Sequence, residues 1–142
     1  MKLYFGDYVG GRGALGLLIV RLVFGAGIMQ HGWGKIQHPF SWMGPGAPVP
    51  GLLQSLAALS EFGGGLALIL GLLTPLAMFG LACTMLYAIL RVHLPRGDVF
   101  VAQGPGIGSY ELAAAYLTVT LLMILTGPGM YSLDAKLFGR NS

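Results

Sequence analysis

Seven ionisable side chains fall within or at the edges of long apolar runs: Arg21, His31, Lys35, Glu61, Arg91, His93 and Glu111. An arginine near a bilayer centre costs about 2.5–3.5 kcal/mol on insertion scales, so Arg21 is expected to turn inward and meet an acid. Glu61 is the candidate. Counted from the span ends on the side of the termini, the two lie about nine and thirteen residues deep, which is roughly 6 Å apart at 1.5 Å per residue. An Arg21–Glu61 pair is therefore expected, either as the catalytic floor of an interior site or as a buried pair that only fixes helix docking.

The other five gather toward one mouth. On a helical wheel Gly25, Gly32 and Lys35 fall within about 40° of Arg21, and His31 about 80° away. His93 closes the third apolar run and Glu111 opens the fourth, on the same side as His31 and Lys35. Three chemistries can use such a set. A quinone head group needs donors to its carbonyls, a carboxylate for protons and an apolar slot, with His31, Lys35, His93 and Glu111 as the ligand-binding groups. A b-type haem would take His31 and His93 as axial ligands. A metal would rest on tertiary geometry alone, since no close His-x-x-His or Glu-x-x-His motif is present. The plain alternative is that interfacial His, Arg and Lys snorkel toward headgroups.

These residues need elements to hold them, and composition says which. Of 142 residues 55% are hydrophobic and 9% charged, against roughly 25% charged in soluble domains. The apolar runs are long rather than alternating, so the chain reads as an all-α transmembrane four-helix bundle with a loop-rich cap on one side. One membrane domain covers 1–142, with spans at about 13–31, 52–72, 75–93 and 109–125. Thr74-Pro75 makes a tight turn, Thr74 as a cap and Pro75 at the first helical position. The glycines around Gly25 and Gly65 suit close helix crossing. The connections "GWGKIQHPFSWMGPGAPVPG" and "LPRGDVFVAQGPGIGSY" are too rich in Pro and Gly to be helical, and their aromatics suit an interfacial cap. After Gly127-Pro128-Gly129, Ser132 is placed to cap a short amphipathic tail lying at the membrane surface.

The first run has Arg21 at its heart and lacks a short h-region with a cleavage site, so it reads as a retained span. The basic residues are spread along the chain, which excludes a nucleic-acid surface and leaves a weak preference for anionic lipid. Cys83, the single cysteine, reads as a small packing residue. An even number of spans puts both termini on one side, with Lys2, Arg12, Lys136 and Arg140 against Lys35, Arg91 and Arg96 on the other. That bias places both termini in the cytoplasm of a prokaryotic cell.

"RLVFGAGIMQHGWGKI", "EFGGGLALILGLLTPLA", His93, "YELAAAYL" and "GPGMYSLD" together resemble the DoxX family of small four-helix membrane proteins, from about Leu17 to Asp134. The family pattern picks out Arg21, His31, Gly32, Lys35, Glu61, Gly64, Gly71, Thr74, His93, Glu111, Gly127, Gly129 and Asp134. The resemblance implies a membrane subunit of a redox system, related to the small subunit of a thiosulfate:quinone oxidoreductase, that binds a quinone and acts with a partner oxidoreductase. The rival expectation is a non-catalytic scaffold subunit in a hetero- or homo-oligomer. A solute carrier is disfavoured, since neither an inverted repeat nor a pair of broken helices is evident.

Overall fold

The computed structural model describes residues 8–139; Lys2 and Arg140, two of the four basic residues expected on the cytoplasmic side, lie outside them. Three long apolar helices and a shorter fourth form an all-α membrane bundle, with no strand among the described residues. Helix α1 spans Gly11–Gln37, α2 Gly51–Leu70, and α3 Thr74–Tyr87. Beyond Tyr87, α3 continues as a π-helical stretch over Ala88–His93 and a single 3-10 turn over Leu94–Arg96. Helix α4 spans Glu111–Thr126, and a one-and-a-half-turn α5 spans Leu133–Phe138. At 1.5 Å per residue α4 is about 24 Å long against about 40 Å for α1.

Apolar side chains divide between two environments. Ile28, Leu68, Met78, Leu81, Met85, Tyr116, Val119 and Met123 meet in the core. Leu52, Leu76, Phe79 and Leu125 are among many large apolar residues left outward, which in a membrane chain face hydrocarbon rather than water. Helices α1 and α2 cross on glycine, as the sequence suggests. A Cβ on Gly65 would stand 2.8 Å from the Gly25 carbonyl oxygen, and one on Gly32 would overlap the backbone of Glu61 and Phe62. Only hydrogen fits at these contacts.

Arg21 does not meet Glu61. It is 1% exposed, and all its hydrogen bonds go to backbone carbonyls. Nε donates to Leu68 O at 2.9 Å and Nη2 to Ile69 O at 2.9 Å, at the C-terminal end of α2. Nη1 donates to Pro128 O at 3.0 Å and Tyr131 O at 2.8 Å, in the segment after α4. Pairing by depth requires the two helices to end flush. In fact α1 overshoots the end of α2, so Arg21 lies level with residues that have carbonyls to spare. Glu61 is next to Gly32, eleven residues further along α1 and about 16 Å away at the helical rise.

The α2–α3 corner shows a second departure. Gly71 takes a left-handed conformation (φ 63°), and the N–H groups of Gly71 and Leu72 donate to Leu68 O and Ala67 O. This is a Schellman ending. Leu73 follows at φ 47°, the one non-glycine residue with positive φ among those described. Thr74 does not cap α3 with its side chain. The buried Asp134 carboxylate does so from α5, accepting from Leu73 N–H at 2.7 Å and Thr74 N–H at 2.8 Å. Asp134 N–H in turn donates to Gly71 O at 2.8 Å. Ser132 Oγ accepts from Ala135 N–H as expected of a cap, yet α5 turns its acid into the bundle rather than lying wholly on the surface. Burial and then the Asp134 charge push the nearby Tyr8 phenol above its usual value.

Asp134→Ala removes both acceptors and leaves the buried Thr74 N–H unpaired, at about 1–3 kcal/mol, and the part-buried Leu73 N–H unpaired at a smaller cost. Thermal unfolding in detergent is expected to show a clear fall in midpoint. Asp134→Asn, which keeps one acceptor oxygen, should lie between, and Arg21→Met, which takes a donor from four carbonyls of which Leu68 O alone keeps the Gly71 N–H, should be the most damaging. Wild-type melting of Asp134→Ala would refute the corner's dependence on this carboxylate.

Candidate functional site

Glu61 finds its partner on the same helix as Arg21, further along. The sequence places the end of α1 near His31, because the connection from Gly32 onward is rich in Gly and Pro. The helix runs instead to Gln37, since Gly32 is a packing surface against α2. Lys35 therefore sits on α1 in the last helical turn, and its Nζ lies 2.6 Å from both Oε1 and Oε2 of Glu61. The Glu61 side chain is 5% exposed and that of Lys35 27%. The ammonium also stands 4.7 Å from the centre of the Trp42 ring, a cation–π contact that steadies it.

This pair closes one end of a cleft of about 400 Å³ between α2 and α3. Leu53, Leu56 and Ala57 line it from α2; Phe79, Cys83 and Tyr87 line it from α3. Apart from the pair, only Gln54, Ser60 and Thr84 bring polar side chains other than the Trp and Tyr rings. The size is within the ~300–1,000 Å³ common for small-molecule sites, and a polar contact at one end of apolar walls is their usual pattern. Chemically, the site offers an ammonium donor and a carboxylate acceptor in direct contact, the carboxylate buried and the ammonium partly so.

The segment 38–50 roofs the cleft, and Gln54 holds it. Gln54 is 4% exposed, yet it lies in the apolar run "LLQSLAALS". Its Oε1 accepts from Met43 N–H at 3.0 Å, its Nε2 donates to Val49 O at 2.9 Å, and its backbone oxygen accepts from Trp42 Nε1 at 2.9 Å. Trp42 and Gln54 were not among the expected site residues. The available signal for Gln54 was a lone amide inside a helix that has no water to satisfy it.

Of the six expected site residues, Lys35 and Glu61 come together and the other four stand elsewhere. Arg21 belongs to the carbonyl lock. His31 is exposed and packs edge-on to the Tyr116 ring of α4, with centroids 6.1 Å apart. His93 Nδ1 meets Asp98 Oδ2 at 2.6 Å in the loop after α3. Glu111 is exposed in the first turn of α4, where a carboxylate suits the helix dipole. His31 and His93 thus have separate partners, and among the described residues no group of three or more His, Cys, Asp or Glu could hold a metal ion.

A protein-family model described as DoxX matches residues 16–94, which takes in Arg21, Lys35, Glu61 and the walls of the cleft. Inner membrane protein YqjF of Escherichia coli (strain K12) is 35% identical over 133 residues, covering 87% of this chain and 92% of that protein. An uncharacterized protein of Haemophilus influenzae is 32% identical over 124 residues, covering 86% and 90%. Inner membrane protein YphA of Escherichia coli (strain K12) is 29% identical over 125 residues, covering 86% and 85%. No solved structure matches the chain.

Removing one partner of a buried ion pair leaves the other charge uncompensated, at about 3–5 kcal/mol, whereas replacing both can be nearly neutral. Lys35→Met and Glu61→Leu are each expected to lower the melting midpoint in detergent more than the double substitution does. Additive losses in that double-mutant cycle would show that the two charges do not depend on each other.

Proposed function

The chain belongs to the DoxX family of membrane proteins, and from that footing we propose that it is the membrane component of a redox system. It holds a quinone or similar head group against Lys35 and Glu61 and works with a partner oxidoreductase. The observation that carries this is an acid and a base joined at 2.6 Å at the end of a largely apolar cleft. A bound quinone would supply a carrier of two electrons and two protons that dissolves in the bilayer. Lys35 has three N–H donors; the one not shared with the carboxylate can be given to a ring carbonyl. Glu61 keeps the ammonium in place and can take up or release a proton beside the ligand. Trp42 presents a flat apolar face next to the charge, suited to an aromatic ring.

Arg21, His31, His93 and Glu111 have no part in this site. The Arg21 lock serves architecture, so the scaffold alternative accounts well for that pole and leaves the Lys35–Glu61 cleft unexplained. Both termini are taken as cytoplasmic, with Arg12 and Lys136 on that side; a C-terminal fluorescent-protein fusion should fluoresce, and a C-terminal alkaline phosphatase fusion should be inactive.

The direct test is calorimetric titration of the purified protein with decylubiquinone against protein-free micelles. Saturable binding is expected for the wild type. Glu61→Gln and Lys35→Met should each weaken it at least ten-fold, about 1.4 kcal/mol, while remaining folded by circular dichroism. If the wild type gives no signal above micelles, or if Glu61→Gln binds as well as wild type, the protein is better regarded as a scaffold.

A further inference from the structure

Helices α2 and α3 leave one corner and diverge. Near it they touch: a Cβ on Gly64 would lie 3.6 Å from Ala77 O, and one on Gly80 3.2 Å from Ser60 Oγ. Beyond Ser60 the two helices no longer close on each other, and the cleft fills the gap. Its α3 wall runs into the π-helical stretch, which contributes Ala88 and Val92. A wider helical turn changes which side chains a wall presents.

Two sides of this wedge are shut. The Lys35–Glu61 pair closes the inner end. On the loop side, Gln54 binds the roof through Trp42, Met43 and Val49, satisfying the polar groups that would otherwise draw water in. The remaining side is flanked by Leu53, Leu56 and Phe79, which are 45%, 51% and 63% exposed, on spans whose outward surface is apolar. That surface faces lipid.

We infer that the cleft is a lateral portal, loaded from the bilayer between α2 and α3 rather than from water. Its ligand is a membrane-resident amphiphile with an uncharged ring head and an apolar tail. The head is uncharged because Lys35 is already neutralised by Glu61; a phosphate brought to the ammonium would also face the carboxylate at close range in low dielectric. A tail follows from the volume. About 400 Å³ accommodates a ring and the first units of a chain, and the open side lets the remainder run out among the lipids. The head's identity as a quinone rests on the function proposed above; the direction of opening does not. Gln54 is in these terms a positioning residue, acting through the roof.

Cys83 lines the cleft and is the chain's single cysteine, which makes it a reporter. With a nitroxide attached there and the protein in liposomes, collision with oxygen, which concentrates in lipid, should exceed collision with water-soluble nickel-EDDA. Gln54→Ala should raise nickel-EDDA collisions at least three-fold by loosening the roof; Trp42→Ala tests the same roof if Gln54→Ala does not fold. Free access of nickel-EDDA in the wild type, or no change in either variant, would overturn the lateral portal whether or not a quinone binds. On unlabelled protein, with ligand expressed per lipid, decylubiquinone should bind at least ten-fold more tightly than its tail-less analogue. Equal binding of the two, or displacement by phosphatidylglycerol but not by neutral diglyceride, would overturn the assigned ligand class. Absence of any quinone binding, with oxygen-favoured access intact, would count against the quinone proposal and leave the portal standing.

Discussion

The bundle hangs from a guanidinium whose hydrogen bonds all go to backbone carbonyls rather than to a carboxylate. Arg21 is planar and carries five donors in a fixed fork, and it directs them at two separate sets of carbonyls. One set ends α2; the other belongs to the chain after α4. A lysine could not span both with fixed geometry. Because Gly71 has no side chain, the guanidinium can lie against the turn: a Cβ there would stand 2.6 Å from Arg21 Nη2 and 2.5 Å from Ser132 Cβ. Asp134 then ties the same turn to the start of α3. Three helices and the C-terminal segment are thereby fixed at one pole.

Fixing one pole leaves the other to serve a different purpose. The corner joins α2 and α3 so tightly that they can separate only at their far ends, and there the Lys35–Glu61 pair and the Gln54-held roof shape the space between them. The division is chemical as well as spatial. Partners at the locked pole are mostly backbone groups, whose charges do not titrate. At the open pole the central contact joins two ionisable side chains, Lys35 and Glu61. Stability and proposed chemistry are thus assigned to opposite ends of the same helices.

Much of this was legible in the sequence. Long apolar runs gave the helices and the membrane, Gly25 and Gly65 marked the crossing, and Thr74-Pro75 placed the corner. The inward turn of Arg21 followed from the cost of an unsatisfied cation in hydrocarbon. Its partner did not, because backbone carbonyls have no signature in residue type and pairing by depth assumed helices of matched ends. Lys35 falls in a segment whose proline and glycine content argues against a helix; whether a glycine such as Gly32 breaks a helix or admits a neighbour depends on what lies opposite, which one sequence does not say. Asp134 was marked only by family resemblance, since its role as a cap depends on a turn 61 residues away.

The distances between these partners along the chain carry a consequence for how the protein is made. Arg21 enters the membrane about 47 residues before the first carbonyls it will hold, and 107 to 110 before the last. At roughly 5–20 residues per second, synthesis of that interval occupies about 5–20 seconds. For the later part of it the guanidinium has only the α2 carbonyls to hold, and its Nη1 donors wait for Pro128 and Tyr131. The bundle is therefore completed from its last residues backward: the three long helices can be in place while their corner waits for Asp134, and a ribosome that stops short of it leaves Leu73 and Thr74 with two unpaired amides, a mark by which an unfinished chain could be told from a finished one.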